Sequence, residues 1–167
     1  MMENSTTYFN IGTQIERFKL VKTLGSGATA EVWEAADHDN KKWALKIYSP
    51  SSGMQEEDLD VFRREYTLTS DIYHEGIIKG EDSGVFQNRP YIVFRLCDSS
   101  LSKQLHERLT ARHTLKIKDT PIYSEEELAY IISDVASALN YLHRNFINHR
   151  DIKPDNILIK GQHSSRE

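Results

Sequence analysis

The sequence has little of what cross-links a fold or anchors it in a membrane. Its single cysteine, Cys97, excludes an intramolecular disulfide and is typical of a reduced intracellular thiol. No apolar run approaches the roughly 20 residues that span a bilayer. The N-terminus lacks the basic start and apolar stretch of a secretory signal. We therefore expect a cytoplasmic protein, or one that reaches the nucleus, without a membrane partner.

The chain also lacks an excess of positive charge. The chain has 21 Lys and Arg residues against 25 Asp and Glu residues, which gives a formal net charge of -4. A net negative charge argues against nucleic acid as the main partner. Hydrophobic residues make up 38% of the sequence and charged residues 28%, as in an ordinary soluble protein. A chain of 167 residues suits one domain with a sizeable core.

The order of predicted elements indicates an α+β fold. The polar residues 1–15 are expected to form a loose leader. Period-two and helical patterns predict strands at 18–24, 31–36, 43–48, 78–86, 90–96 and 157–159, and helices at 56–70, 99–109 and 124–144. Ser124 and Glu127 have the spacing of a capping box at the start of the last helix. Residues 110–123 are expected to be a solvated connection, with a basic docking site as the alternative.

A glycine-containing turn follows the first long predicted strand. It reads Gly25-Ser26-Gly27 and continues as far as Val32. Glycines let backbone amides approach phosphate oxygens, because no Cβ stands in the way. Taken alone, such a sequence is more often a plain β-turn. It becomes a phosphate-binding candidate only together with other motifs.

A lysine and a glutamate provide the next candidate pair. Lys46 lies in the third predicted strand, and an inward-pointing lysine is costly unless an anion meets it. Glu65 lies in the helix at 56–70, where it could hold Lys46 aimed at phosphates. Alone, a glutamate next to two arginines is more often a solvated helix carboxylate.

The segment 149–156 carries the strongest motif. It reads His-Arg-Asp-Ile-Lys-Pro-Asp-Asn, so that Asn156 follows Asp151 after four intervening residues. This spacing resembles the catalytic loop of eukaryotic-type protein kinases. The glycine turn, Lys46 and Glu65 occur in the same order as that family's glycine-rich loop, strand lysine and helix glutamate. Lys153, two residues after Asp151, resembles the serine/threonine branch of the family rather than the tyrosine branch.

The resemblance covers nearly all of the chain from residue 18 onwards, and it implies a protein kinase-like fold. A small five-stranded antiparallel N-lobe with one helix would span about 16–96. A hinge would lie at about 94–98, and the beginning of a helical C-lobe at about 99–167. Residues 16–167 would then form an incomplete kinase domain.

The resemblance also implies catalytic roles, with ATP and Mg²⁺ as cofactors and a Ser/Thr-bearing protein as substrate. Asp151 would accept the proton of the substrate hydroxyl, and Lys153 would neutralise charge on the γ-phosphate. Asn156 would ligate Mg²⁺ through its amide oxygen, a hard donor that suits a hard cation. Lys46 would hold the α- and β-phosphates, with Glu65 as its orienting partner.

The remaining implied contacts are with the nucleotide. The glycine turn, Gly25, Ser26 and Gly27, would cover the phosphates. The apolar walls around adenine would be Leu24, Val32, Ala44 and Leu158. Phe94 would occupy the gatekeeper position, and the backbones of Arg95 and Cys97 would hydrogen-bond adenine.

The sequence departs from the family pattern in three places. Ala30 replaces the third glycine, which is tolerable if its backbone stays in the β region. Arg95 replaces an often acidic hinge residue, which we interpret as a surface variation. No Asp-Phe-Gly motif occurs in the 167 residues, and family spacing places it at or just beyond Glu167. We therefore expect an incomplete domain of doubtful activity. We also expect an exposed apolar face on the helix at 124–144, along Leu128, Ile132, Val135, Leu139 and Leu142.

Two alternatives remain at this point. The first is a non-catalytic nucleotide- or partner-binding regulatory module, which the missing metal-binding aspartate favours. The sequence that follows Glu167 in the transcript would distinguish this module from a kinase. The second is a small-molecule kinase, which Lys153 followed by Pro154 disfavours. The sequence predicts neither the oligomeric state nor the protein substrate.

Overall fold

The computed structural model describes residues 8–50, 56–116 and 121–160, apart from the side chains of Glu56 and Asp58. These residues form two compact units. The first unit contains the described residues up to Tyr73 together with Ile78–Leu96. The second contains His74–Ile77 and the described residues from Cys97 onwards.

The first unit is an antiparallel sheet with one helix. Its elements are β1 (Gln14–Ile15), β2 (Phe18–Ser26), β3 (Ala30–Ala36), β4 (Lys42–Tyr48), α1 (Glu56–Asp71), β5 (Gly80–Phe86) and β6 (Arg89–Arg95). The strand order is β1-β2-β3-β4-β6-β5, and every neighbouring pair is antiparallel. The sheet thus has six strands rather than the five predicted, because the short β1 pairs with the start of β2.

Residues 8–15 do not form the loose leader that their polarity predicts. The side chains of Phe9 and Ile15 are buried in the main core of the first unit. The amide of Gly12 donates to the carbonyl of Leu20 at 2.8 Å, and the amide of Leu20 donates to the carbonyl of Thr13 at 2.9 Å. Two apolar anchors and these backbone hydrogen bonds therefore hold this stretch against β2, despite the polar residues between them.

Helix α1 matches the predicted span of 56–70 within one residue. Phe62 is buried on its sheet-facing side, where it packs with Tyr48 of β4 and Ile92 of β6. Tyr66 and Phe94 border the same small cluster. Phe62 and Tyr66, four residues apart, therefore mark the face of the helix that packs on the sheet.

The second unit is mainly helical. Its elements are β7 (Ser99–Ser100), α2 (Leu101–Leu115), α3 (Glu125–Arg144), a short 3-10 helix (Pro154–Asn156) and β8 (Leu158–Ile159). Strands β7 and β8 pair antiparallel. Helix α2 continues beyond the predicted end at 109, so the first part of the expected connection at 110–123 is helical. Of the basic residues there, Lys118 lies outside the described residues.

The capping box predicted from Ser124 and Glu127 is present at the start of α3. The Ser124 hydroxyl accepts from the Glu127 amide at 3.1 Å, and the Glu127 carboxylate accepts from the Ser124 amide at 2.8 Å. The same carboxylate binds Arg108 of α2 through two N–H···O contacts of 3.1 and 2.7 Å. Arg108, and then the Ser124 amide, lower the pKa of Glu127 to about 2.

This depressed pKa predicts an acid-labile link between α2 and α3. The ordinary pKa of such a carboxyl is 4.5, so its contribution to stability is complete above that pH and is lost as the pH falls towards 2. In the parent chain the urea midpoint of unfolding should fall when the pH is lowered from about 5 to about 2.5. We expect this fall to be smaller in Glu127→Gln. Glu126→Gln removes a first-turn charge without touching Arg108, and it serves as the control. An unchanged pH dependence in Glu127→Gln would contradict the prediction.

The apolar face of α3 is exposed only in part. Leu128 and Ile132 are 43% and 65% exposed, whereas Leu142 is buried. The chain turns back after the helix, and the Ile147 amide donates to the Leu142 carbonyl at 2.9 Å. The prediction of an exposed stripe is therefore right for the first half of the helix and wrong at Leu142. Among the residues the structure describes, no helix is long and apolar enough to cross a membrane.

Candidate functional site

Lys46 and Glu65 form a close ion pair in the first unit. The Lys46 ammonium lies 2.7 Å from each oxygen of the Glu65 carboxylate. The two side chains are 30% and 29% exposed, so the pair is half-buried and remains open to a ligand. The structure thus brings together the two residues that lie 19 positions apart in the sequence, and the alternative of a purely solvated Glu65 is wrong.

Strand register explains why Lys46 points where it does. Leu45 and Ile47 are fully buried on one face of β4, so Ala44 and Lys46 lie on the opposite face. Lys46 is opposite Val32 of β3, and Ala44 is opposite Phe94 of β6. Because directly opposed residues share a face, the expected pocket residues Val32, Ala44 and Phe94 lie on the same face as Lys46.

The glycine turn between β2 and β3 leaves free space beside its backbone. The Gly27 amide donates to the Ala30 carbonyl at 2.9 Å and closes the turn. A Cβ added at Gly25 would meet nothing within 4 Å, and one at Gly27 would meet only that carbonyl, at 3.8 Å. Neither glycine has a positive φ. The fold therefore does not require glycine here, and the open space fits a ligand that approaches the backbone closely.

The other expected nucleotide contacts are distributed over both units. In the first unit, Leu24 is 44% exposed, and the exposed Arg95 donates from Nε to Glu81 at 2.6 Å. In the second unit, Cys97 is half-buried, and burial raises the pKa of its thiol. Leu158 pairs with Ser100 and is 46% exposed. Ala30 is buried at the start of β3 and is not among the residues with positive φ, as its expected β-region backbone requires.

In the second unit, three polar side chains of the loop at 149–156 converge. Asn156 donates from its amide nitrogen to the backbone carbonyl and to the carboxylate of Asp151, each at 2.9 Å. The Lys153 ammonium lies 3.1 Å from the same carboxylate. Arg150 adopts a left-handed backbone conformation with φ of 64°, so the chain turns sharply just before Asp151.

These contacts keep Asp151 ionised. Lys153, followed by Asn156, lowers the pKa of the Asp151 carboxyl below its ordinary value of 3.8. Asp151 is exposed, so its carboxylate is accessible from solvent. An ionised and accessible carboxylate can accept a hydrogen bond from a hydroxyl and orient it.

The loop also offers a donor for a hard cation. Because the amide nitrogen of Asn156 is bound to Asp151, its amide oxygen is directed elsewhere, and it makes no hydrogen bond with the residues the structure describes. Such an oxygen suits Mg²⁺. The described residues contain no group of three or more acidic, His or Cys side chains that could hold a metal ion by themselves.

Sequence reasoning missed one member of the Lys46–Glu65 site. The hydroxyl of Tyr48 donates a hydrogen bond to Oε2 of Glu65. Tyr48 follows Lys46 by two residues in β4, so both side chains lie on one face of the strand. That period-two spacing is the signal that could have found it.

Comparison with known proteins identifies the family. The model of the protein kinase domain family matches residues 18–166. MAP kinase-interacting serine/threonine-protein kinase 2 of Xenopus laevis is 32% identical over 142 residues, 84% of this chain and 27% of that protein. Serine/threonine-protein kinase 33 of Bos taurus is 33% identical over 148 residues, 87% of this chain and 28% of that protein. The chain thus spans about a quarter of the length of these curated relatives.

A solved structure shows the same fold. The kinase domain of PknI from Mycobacterium tuberculosis matches with a TM-score of 0.70 and 24% identity, over 92% of this chain and 58% of that chain. The curled antiparallel sheet with one helix and the following helices therefore form a protein kinase fold, as the order of motifs predicted. With a family model that matches almost the whole of its length, this chain belongs to the protein kinase domain family.

Proposed function

We propose that the protein is a serine/threonine kinase that transfers the γ-phosphoryl group of Mg-ATP to protein hydroxyls. The observation that carries this proposal is the arrangement of Asp151, Lys153 and Asn156 around one ionised carboxylate. The names of the curated relatives, two of which are given above, support the serine/threonine branch. Lys153 supports the same branch by resemblance.

In this proposal each unit supplies a distinct part of the chemistry. Lys46, oriented by Glu65, binds the α- and β-phosphates, and the open backbone at Gly25 and Gly27 admits the phosphate chain. Asp151 orients the substrate hydroxyl and takes up its proton. Because the transition state of phosphoryl transfer is loose, positioning of the hydroxyl contributes more to the rate than removal of its proton. A carboxylate of low pKa is therefore sufficient.

Asn156 is the residue that we propose as a ligand of Mg²⁺. Its amide oxygen would provide one hard ligand for the ion, and phosphate oxygens of the nucleotide would provide others. When bound, the ion neutralises charge that develops on the phosphates. Lys153, which now pairs with Asp151, supplies a second positive charge beside the attacking hydroxyl.

A second candidate function separates nucleotide binding from catalysis. In protein kinases the aspartate of an Asp-Phe-Gly motif holds a metal ion. A regulatory module that binds nucleotide or a partner without catalysis would need Lys46 and Glu65 but not that aspartate. The transcript sequence beyond Glu167 distinguishes the two, because an Asp-Phe-Gly motif directly downstream would support the kinase.

The first experiment measures the melting temperature of the chain with ATP, with and without Mg²⁺. A ligand at about 100 times its Kd should stabilise the folded state by about 2.7 kcal/mol. We expect Lys46→Ala to lose most of this stabilisation, because the phosphates lose their positive partner. Lys42→Ala is the matched control: Lys42 is another lysine of β4, bound to Glu34 at 3.0 Å.

The shift in melting temperature decides whether the chain has an ATP site. A nucleotide-dependent shift that Lys46→Ala removes and Lys42→Ala retains supports an ATP site. A cooperatively folded chain without any shift contradicts ATP binding and hence the proposed kinase.

A further inference from the structure

Tyr48 is rigidly held at the end of β4. It is 4% exposed, and its ring packs edge-on against Phe62 of α1, with ring centroids 5.5 Å apart and planes at 82°. Ile92 of β6 completes the buried cluster. A side chain enclosed in this way has little rotamer freedom, so its hydroxyl is fixed in space.

That hydroxyl reaches the centre of the proposed phosphate-binding site. It donates to Oε2 of Glu65, the oxygen that also accepts from the Lys46 ammonium at 2.7 Å. The Lys46 ammonium lies 5.2 Å from the centroid of the Tyr48 ring as well. Tyr48 therefore contacts both members of the pair, one through its hydroxyl and one through its ring.

The Lys46–Glu65 pair needs such support. Both side chains are long and about 30% exposed, and an ion pair of this kind loses side-chain entropy when it is held in one geometry. A buried tyrosine fixed by packing restrains the carboxylate without a comparable loss. Burial, and then the neighbouring Glu65 carboxylate, raises the pKa of Tyr48, so its hydroxyl stays a donor.

We infer that Tyr48 is a positioning residue whose hydroxyl holds the Glu65 carboxylate in the orientation that presents both oxygens to Lys46. Under the proposed function, on which this consequence rests, Tyr48 aims the lysine at the phosphates of ATP without touching the nucleotide. The inference itself concerns the geometry of Lys46 and Glu65 and can be tested without nucleotide.

The first test compares Tyr48→Phe with the parent chain. This variant retains the packing against Phe62 and the ring beside Lys46 but loses the hydroxyl. We expect acylation of Lys46 by acetic anhydride to become roughly 2- to 10-fold faster relative to Lys42, because the loosened carboxylate leaves the amine unpaired more often. Mass spectrometry of the peptides provides the rates.

Tyr66→Phe is the matched control. Tyr66 borders the same cluster, and in the described part of the chain its hydroxyl is not bonded to Glu65. A purely structural role would change the melting temperature or the labelling of several lysines together. Selective labelling of Lys46 distinguishes positioning from such a general loosening.

The second test compares affinities for ATP and for adenosine, which lacks phosphates. We expect Tyr48→Phe to lose roughly 2- to 10-fold in the ratio of ATP affinity to adenosine affinity, and Tyr66→Phe to retain the parent ratio. Unchanged Lys46 labelling in Tyr48→Phe overturns the inference. If Lys46 is labelled faster in Tyr48→Phe while Lys46→Ala leaves ATP binding unchanged, the result supports the positioning role of Tyr48 and overturns the proposed function. Faster labelling with an unchanged affinity ratio overturns the role in aiming Lys46 at phosphates.

Discussion

Replacing Asp151 with asparagine should lower the rate of phosphoryl transfer by roughly 100-fold or more. Asparagine has nearly the same shape and can still accept from Asn156, but it lacks the negative charge that orients a hydroxyl and receives its proton. Mg-ATP affinity should remain within about twofold, because Asp151 is not a phosphate-binding group in the proposal. The assay follows transfer of labelled γ-phosphate to a serine and threonine peptide library by the natural protein that carries this domain.

Asp155→Asn is the control for Asp151→Asn. Asp155 lies in the 3-10 helix of the same loop and is exposed, so its loss changes the net charge equally. Equal loss of activity in both variants would contradict a special role for Asp151. A parent protein that binds Mg-ATP but transfers no phosphate would support the non-catalytic module.

Replacing Glu31 with alanine should lower the free energy of unfolding by about 3 kcal/mol. Glu31 is 3% exposed. Its carboxylate accepts from the Tyr8 amide at 2.7 Å, from the Trp33 indole at 2.9 Å and from the Ser49 hydroxyl at 3.4 Å. Alanine leaves the buried Trp33 indole and Ser49 hydroxyl without their acceptor, and it removes the hydrogen bond that ties the Tyr8 amide to β3. Urea unfolding followed by tryptophan fluorescence gives the free energy.

The control for Glu31→Ala removes an exposed carboxylate. Glu57→Ala, in the first turn of α1, should cost less than about 0.5 kcal/mol. Glu31→Gln should fall between the two, because an amide oxygen can still accept from Tyr8 or Trp33. If Glu31→Ala unfolds at the same urea concentration as Glu57→Ala, the buried hydrogen bonds contribute no net stability.

Local patterns predicted the elements whose stabilising contacts lie close in sequence. The α1 span followed from the helical spacing of its apolar residues. The start of α3 followed from Ser124 and Glu127, because a capping box is closed within four residues. The strands were correct within a few residues, since one buried face imposes period-two alternation.

Contacts distant in sequence were not predictable in the same way. The anchors Phe9 and Ile15 are two apolar residues in a polar stretch, and only their packing on the sheet marks them as core. Helix α2 extends to Leu115 because its last turn is closed at Lys116 in a left-handed conformation, with φ of 55°. Lysine has no special preference for that conformation, so the sequence carried no signal for this end.

The site shows the same division. The order of the glycine turn, Lys46, Glu65 and the loop at 149–156 could be predicted, because the order and spacing of motifs are properties of the sequence itself. The hydrogen bond between Tyr48 and Glu65 depends on how far α1 lies from β4, which no local pattern encodes. The partners of Asp151 were predicted as separate roles, and their shared carboxylate emerged only from the structure.

The pairing of β7 with β8 bears on when the loop at 149–156 could form during synthesis. The amide of Asp98 donates to the carbonyl of Ile159, and the amide of Leu101 donates to the carbonyl of Ile157. Ser99 and Ser100 leave the ribosome about 60 residues before Ile159, which is roughly 3 to 12 s earlier at ordinary elongation rates. Strand β7 is therefore already outside the ribosome when β8, which follows the loop, emerges and can pair with it. The loop could thus be set co-translationally, and a ribosome-stalled chain that displays Ile159 would already carry this ladder.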